Sequence, residues 1–489
     1  MTKIYDFQNI GNNNFCQKNN IKLEWEEEVL TEFKTYQYLS NNNIELPLDY
    51  IAYPWAFLID LYHNKFRNIF SSFYYFLKEM NLIDQLPKKR FITTVQSYHF
   101  DKFLTVFRKI GIKYIFCPHI VKKDFLNIFN NYDIVVFPYF IYPSVKNSNA
   151  KNVLGKNILY NFIGNTKYSS EKPTELRTKI VNMYHLPNTV IKGINKWHFN
   201  DVIYGNQLKL IEYDQTIDIF QEKLDREDFY KKTMETSLFC ICPLGIGPNS
   251  IRLWESFTYN TIPISISDDL WLPFYLDVNW DSLIVTIKES NYQDIIKVKE
   301  FTDDEINIYQ NQGLEFYEKY LHDSKFGNII DKAFVNNKEF ILMVPWYNIT
   351  DERRFLEIHS CLDCNLKNKL IKQIIFFYEV DDISKIDYKK YSHPKIKIIP
   401  IITNLKRDIS FNTLAKYANE NFINETCIIS NNDIYFDETL SNIYRLDFYK
   451  NKYFIALTRK NYGKYLDSNN KVWKPHPSSQ DSWIFKTPI

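Results

Sequence analysis

Leu238-Phe-Cys-Ile-Cys-Pro-Leu-Gly245-Ile-Gly247-Pro-Asn-Ser250-Ile-Arg252-Leu-Trp-Glu255-Ser-Phe-Thr-Tyr-Asn-Thr-Ile-Pro-Ile-Ser-Ile-Ser-Asp268 decides how the rest of this chain is read. An apolar run short enough to be a buried parallel strand leads into a glycine loop, then a helical pattern, then a second apolar strand. Gly245 and Gly247 free backbone N–H groups, and a helix N-terminus favours phosphate. Arg252 and Glu255 are three residues apart and share a helix face. A guanidinium there can reach a diphosphate while the carboxylate accepts from ribose hydroxyls, each charge-assisted bond being worth about 1.5–3 kcal/mol. Asn249 and Ser250 suit either capping of the helix or a bond to phosphate. The layout therefore suits a nucleotide sugar. The plainer alternative is an ordinary α/β loop followed by a surface ion pair of about 0.3–0.5 kcal/mol.

The whole string resembles the exostosin family of glycosyltransferases, in which a strand ending in Pro-x-Gly passes through a Ser to an Arg-x-x-Glu helix, an Ile-Pro-Val-Ile-like strand and an acidic loop with Leu-Pro. The resemblance covers residues 156–290 well and the N-terminal third only loosely. Phe162-Ile-Gly164-Asn165 is similar to the family's Phe-x-Gly turn, and Arg177 stands where a basic residue follows it. Pro263, Asp268, Asp269, Leu272 and Pro273 continue the likeness, with Ile264 where the family has Val. The resemblance implies a GT-B fold, two Rossmann-like parallel-sheet domains with the donor in the C-terminal one and the acceptor in the cleft. It further implies a hexosyl- or pentosyltransferase of polysaccharide or glycan biosynthesis, with Gly164, Asn165 and Arg177 joining the donor site. GT-B donor sites need no metal cofactor.

Composition sets the frame. The 489 residues leave room for two to four domains, and 45% apolar with 17% aromatic content excludes a largely disordered chain. A net charge of +2 gives no electrostatic reason to expect nucleic acid or an anionic membrane as partner. The N-terminus lacks the apolar core of a signal peptide, and the longest apolar run, 134–142, is interrupted by Pro138. With about 20 apolar residues needed to span a bilayer, no transmembrane segment is expected and the reading is cytoplasmic. Animal exostosins differ in being membrane-anchored. Sequons at Asn348 and Asn424 are then chance matches. Seven cysteines, Cys361 and Cys364 among them, read as reduced thiols, and no second close pair completes a zinc site.

Along the chain, 1–45 reads as a polar extension with one helix over 25–39. Strands at 91–95, 114–117 and 134–137 alternate with helices at 101–110 and 124–129, giving an N-terminal Rossmann-like acceptor domain over 46–155. Ligands bind outside the carboxyl ends of such strands. That directs attention to Tyr98, His99, Asp101, Pro118, His119 and Tyr139, an edge of aromatics and histidines suited to a sugar. The donor domain spans 156–335, with strands at 158–163, 190–192 and 283–287 around the opening motif. A helix over 303–321 is expected to pack back across the halves.

A third domain, 336–489, begins with a strand at 340–344 and a helix at 351–366. Strands at 374–377 and 396–401 precede Cys427-Ile-Ile-Ser-Asn431-Asn432-Asp433-Ile-Tyr-Phe-Asp437. This is similar to the Asp-x-Asp motif of GT-A glycosyltransferases, whose strand-end carboxylates bind manganese or magnesium. Only Asp433 is in register, and an Asx-turn is the alternative. Ser479-Gln-Asp481-Ser-Trp483 is similar to a later block of the same group, after which the chain stops at Ile489. The expectation is a GT-A-like domain that is either incomplete or inactive by itself.

The function implied is transfer of a sugar from a nucleotide-sugar donor to a carbohydrate or glycoconjugate hydroxyl, with a second, metal-dependent transferase making the chain bifunctional. A developing diphosphate charge would meet the amides of 245–250, Arg252 and Arg177. An inverting route needs a base, His99 first and Asp101 second; a retaining route needs none. The competing class is a non-catalytic nucleotide-sugar or glycan-binding protein with a degenerate second domain. Gly-x-Gly-x-x-Gly spacing is absent, which disfavours a dinucleotide oxidoreductase.

Overall fold

The computed structural model describes residues 2–7, 13–23, 25, 30–147, 155–168, 171–194, 217–276, 278–335, 339–403, 409–422, 425–437, 439–440, 443, 454–457 and 481–487. The chain divides into two compact units, Met1–Val335 and Asn336–Ile489. Asn424, Ser479 and most of the connection around residue 150 lie outside the described residues.

The first unit holds two parallel sheets. One runs in sequence order: β1 (Ile4–Asp6), β2 (Asp49–Ala52), β3 (Phe91–Thr94), β4 (Ile112–Cys117) and β5 (Val135–Pro138). The other comprises β6 (Ile158–Asn165), β7 (Thr189–Ile194), β8 (Ser237–Pro243), β9 (Ile262–Ile266) and β10 (Val285–Thr286), in the order β10-β9-β8-β6-β7. All their pairings are parallel. The strands are short and apolar because helices cover both faces; every residue of β3, β5 and β9 is buried. An α/β class with parallel sheets is thus present.

Two expectations are corrected. The segment read as an N-terminal extension supplies the edge strand β1, paired with β2 from Ile4↔Tyr50 to Asp6↔Ala52. Its helix, Leu30–Asn42, carries a buried Glu32 whose carboxylate accepts from the amides of Ala56 (3.3 Å) and Gln96 (2.8 Å). A three-residue strand leaves too short a periodic signal to read. Likewise the helix expected from Asp101 begins later: Phe100–Phe103 is a 3-10 turn and the α-helix is Leu104–Lys109.

One apolar cluster joins the two sheets. Tyr139 and Phe140, just past β5, share it with Cys240 and Cys242 of β8, with Trp254 and Phe257, and with Phe316 and Tyr320. Phe140 lies 4.7 Å from Trp254 and 5.5 Å from Phe316, pairs worth about 0.5–1.5 kcal/mol beyond burial. Phe316 ends the helix Asp303–Phe316, which opens on a Thr302/Glu305 capping box and continues as a π-helical turn, Tyr317–Leu321. The helical pattern at 303–321 therefore packs across both halves.

The second unit has one six-stranded mixed sheet. Parallel β11 (Phe340–Tyr347), β12 (Ile371–Val380), β13 (Ile396–Ile402) and β14 (Thr426–Ser430) are joined by β15 (Phe454–Leu457) and β16 (Ser482–Lys486), in the order β13-β12-β11-β14-β16-β15. β16 is antiparallel to both β14 and β15. Among the described residues, no helix is long and apolar enough to cross a membrane.

Candidate functional site

The loop between β8 and the helix Ile251–Thr258 lies where the carboxyl ends of the two sheets of the first unit meet. Leu244 N donates to Ile266 O (3.0 Å) and Gly245 N to Gly247 O (3.1 Å), folding the chain into a tight turn. Ser250 is the N-cap, in extended backbone, but its side chain makes no capping bond. Asn249 does not cap either. Its Nδ2 donates to Pro118 O (3.2 Å) and Tyr139 O (3.3 Å), and its Oδ1 accepts from Trp254 Nε1 (2.8 Å). A buried carboxamide must satisfy its donors and acceptor, so Asn249 pins the loop to the ends of β4 and β5. The backbone N–H groups of the buried residues Gly247, Asn249 and Ser250 donate to no group among the described residues. Amides without acceptors at a helix N-terminus suit an anion.

Two arginines flank the turn with different duties. Arg177, 2% exposed, donates from Nε to Leu244 O (2.8 Å), from Nη1 to Asn165 O (3.0 Å) and from Nη2 to Pro243 O (2.9 Å). Burial, with Arg252 nearby, pushes its guanidinium down to about 10. It therefore ties the end of β6 to the end of β8, and the phosphate role expected for it gives way to three carbonyls. Asn165 is spent in a similar way, its side chain closing a turn onto Lys167 N (3.1 Å) and Lys167 O (2.7 Å). Arg252 donates only from Nε, to Ile163 O (2.9 Å); its terminal nitrogens bond to nothing among the described residues. They lie against Gly164, where a Cβ would collide with the guanidinium.

Glu255 is 3% exposed. Its carboxylate accepts from Tyr230 Oη (2.7 Å), Ser144 Oγ (3.0 Å) and Val145 N (3.3 Å), and burial raises its pKa despite those donors and Arg252. The ribose contact expected from sequence would have to share a buried carboxylate that already holds three protein donors. Asp269, in the acidic loop after β9, pairs with Lys123 and Lys172 at 3.5 Å each.

Facing the loop are residues past the ends of β3 and β4. The rings of Tyr98 and His99 are 4.0 Å apart, His99 and His63 6.0 Å, and Tyr98 and His119 6.5 Å. Of the aromatic and histidine edge expected from sequence, Tyr98, His99 and His119 lie together, but Tyr139 does not belong to it: it is fully buried in the core, its hydroxyl 3.0 Å from Thr35 Oγ1. Burial first, then Lys102 and His63, lowers the His99 pKa, while Asp101 opposes. Asp101 is exposed in the 3-10 turn and is not the α-helix N-cap.

Two further residues meet the loop: His119, read from sequence as part of the sugar edge, and Tyr168, to which sequence reasoning gave no role. His119 sits over Gly247, where a Cβ would collide with its ring. Its position past a strand end was the available signal. Tyr168 lies over the Arg177 guanidinium at 5.0 Å, and a Cβ on Gly245 would lie 4.0 Å from its hydroxyl. No spacing in the sequence pointed to it.

In the second unit β14 ends at Ser430, and the chain turns along the helix Glu352–Lys367. Asn365 Nδ2 donates to Ile434 O (2.9 Å), Phe436 N to Asn365 Oδ1 (2.9 Å) and Asn368 Nδ2 to Phe436 O (2.8 Å). Asp437 is thereby taken out of any strand register and accepts from Thr439 N (2.9 Å). Asp433 Oδ2 accepts from Arg354 Nη2 at 2.9 Å, and Arg354 Nη1 donates to Glu357 at 2.8 Å. Among the described residues no three His, Cys, Asp or Glu side chains are grouped to hold a metal. A guanidinium bonded to the expected ligand does not fit a divalent cation there. Asn431 Nδ2 lies 3.4 Å from Asp481 Oδ1, which places the late acidic block beside the end of β14.

Residues 115–301 match the family model described as the Exostosin GT47 domain. A "probable glucuronosyltransferase" of Oryza sativa subsp. japonica is 38% identical over 73 residues, 15% of this chain and 18% of the relative. A "probable beta-1,4-xylosyltransferase" of Arabidopsis thaliana is 34% identical over 77 residues, 16% of this chain and 19% of its own. A "probable glucuronoxylan glucuronosyltransferase" of the same plant is 38% identical over 79 residues, 16% and 17% of the two chains. The chain thus spans less than a fifth of the length of these relatives. A solved structure titled "Crystal structure of GtfA/B complex" covers 51% of this chain and 53% of its own at 10% identity, with a TM-score of 0.25, too slight a likeness to bear on the fold. The segment similar to the Exostosin GT47 domain carries the loop, His119, Arg177 and Arg252.

Proposed function

We propose that this chain is a GT-B glycosyltransferase that moves a sugar from a nucleotide-sugar donor to a carbohydrate hydroxyl at the loop of the first unit. The reading is carried by the backbone amides of Gly247, Asn249 and Ser250, which donate to no group among the described residues, and by the terminal nitrogens of Arg252 on the helix that follows, which bond to none either. Together they offer donors and positive charge to a diphosphate whose charge grows as the glycosidic bond breaks. Arg252 and the helix N-terminus supply what a metal supplies elsewhere, so the transfer is proposed to need no cation. Relatives named for glucuronosyl and xylosyl transfer point to activated glucuronic acid or xylose as the donors to try first.

The acceptor would lie along the edge formed by His63, Tyr98 and His99. Sugar C–H faces pack on aromatic rings there. In an inverting transfer His99 takes the hydroxyl proton, its lowered pKa keeping the imidazole neutral and able to accept near pH 7. Asp101, exposed in the adjoining turn, is the second choice.

Incubating the purified chain with uridine-diphosphate glucuronic acid or xylose and an oligosaccharide acceptor tests the proposal. Release of nucleotide with elongated acceptor is expected, and Arg252→Ala should abolish it. Tight nucleotide binding without turnover under any of these conditions would favour a non-catalytic binding protein instead.

A further inference from the structure

His119 lies two residues past β4, and its backbone N donates to Cys117 Sγ at 3.4 Å. The residue is half-buried, yet its Nδ1 is buried and has no hydrogen-bond partner. The same nitrogen faces Gly247, and the ring occupies the space a Cβ on that glycine would need. A buried polar atom without a partner costs about 1–3 kcal/mol. Here it faces Gly247, whose amide, like those of Asn249 and Ser250 in the same loop, donates to no group among the described residues. The neighbours that pack on the ring do not satisfy it. Tyr98 presents its ring at 6.5 Å, and Asn249 spends its carboxamide on Pro118 O, Tyr139 O and Trp254. In the tautomer that carries its proton on Nδ1, the imidazole is one more donor next to this loop, a set that calls for an acceptor-rich ligand.

We propose that His119 is a ligand-binding residue of this loop, its Nδ1–H donating to a phosphoryl oxygen of a nucleoside diphosphate seated on the amides of 247–250. Gly247 is then small for two reasons: it admits the imidazole, and it lets the backbone approach the phosphate. Burial pushes the free imidazole down to about 4, so near neutral pH it is a neutral ring with one N–H to give. The inference rests on the donor-site reading above and adds to it a contact from the first sheet.

The test is calorimetric titration of the full chain with uridine diphosphate, guanosine diphosphate and inorganic pyrophosphate. Wild type is compared with His119→Ala and His119→Asn, the latter placing an amide N–H near the position of Nδ1. His119→Ala should weaken binding about tenfold, the size of one charge-assisted hydrogen bond, and His119→Asn should restore most of it. On wild-type protein alone, saturating uridine diphosphate should shift the His119 Nδ1 nitrogen resonance. Equal affinity of wild type and His119→Ala, or an unmoved resonance at saturation, overturns the role of His119 and leaves the donor site standing. Failure of wild type to bind any of the three probes overturns the donor site itself, and His119 with it.

Discussion

Arg177 and Arg252 flank the same turn, yet the number of carbonyls each meets separates them. Arg177 bonds to three, so Arg177→Ala leaves three buried acceptors unpaired at about 1–3 kcal/mol each; a clear fall in melting temperature is expected by scanning calorimetry. Arg252 bonds to one, and Arg252→Ala should leave melting nearly unchanged while removing nucleotide binding measured by titration. His119 carries a pH signature of its own. Its folded pKa lies near 4, below the usual 6.5, so its contribution to stability is present above 6.5 and lost as pH falls towards 4. Denaturant titrations should show wild type losing more stability than His119→Asn between pH 6.5 and 4, and equal slopes would argue against a buried neutral ring.

At the scale of the element, the helix Ile251–Thr258 holds the loop in place. Trp254 is fully buried, packs on Phe140 and Phe316, and donates to Asn249, so one side chain binds helix, loop and both sheets. Trp254→Ala should cost about 3–5 kcal/mol and, by releasing Asn249, weaken nucleotide binding as well. Urea denaturation and titration on the same variant check both effects. The helix also shows why an i, i+3 pair misleads. Arg252 and Glu255 do share a face, but Glu255 is drawn into protein donors from two other segments, Ser144–Val145 and Tyr230, that lie far away in sequence.

For the whole molecule, every residue of the loop site lies in the unit Met1–Val335. A chain ending at residue 335 should therefore bind uridine diphosphate as the full chain does, with or without manganese. Loss of binding on truncation, or a manganese requirement, would shift the site towards the second unit. There Asp433 is paired with Arg354 at 2.9 Å.

Strand runs such as β4, β8 and β9, the glycine turn and the following helix were legible because each is set by local periodicity and by residues adjacent in the chain. So was the edge bearing Tyr98, His99 and His119, since ligands gather at the carboxyl ends of parallel strands. Which side chains remain available there was decided only by tertiary structure. Whether a guanidinium or carboxylate is spent on protein depends on carbonyls and hydroxyls dozens of residues away, as Arg177 to Leu244 and Glu255 to Ser144 demonstrate. Burial forces those groups to find partners, and no spacing in the chain encodes which partner is near.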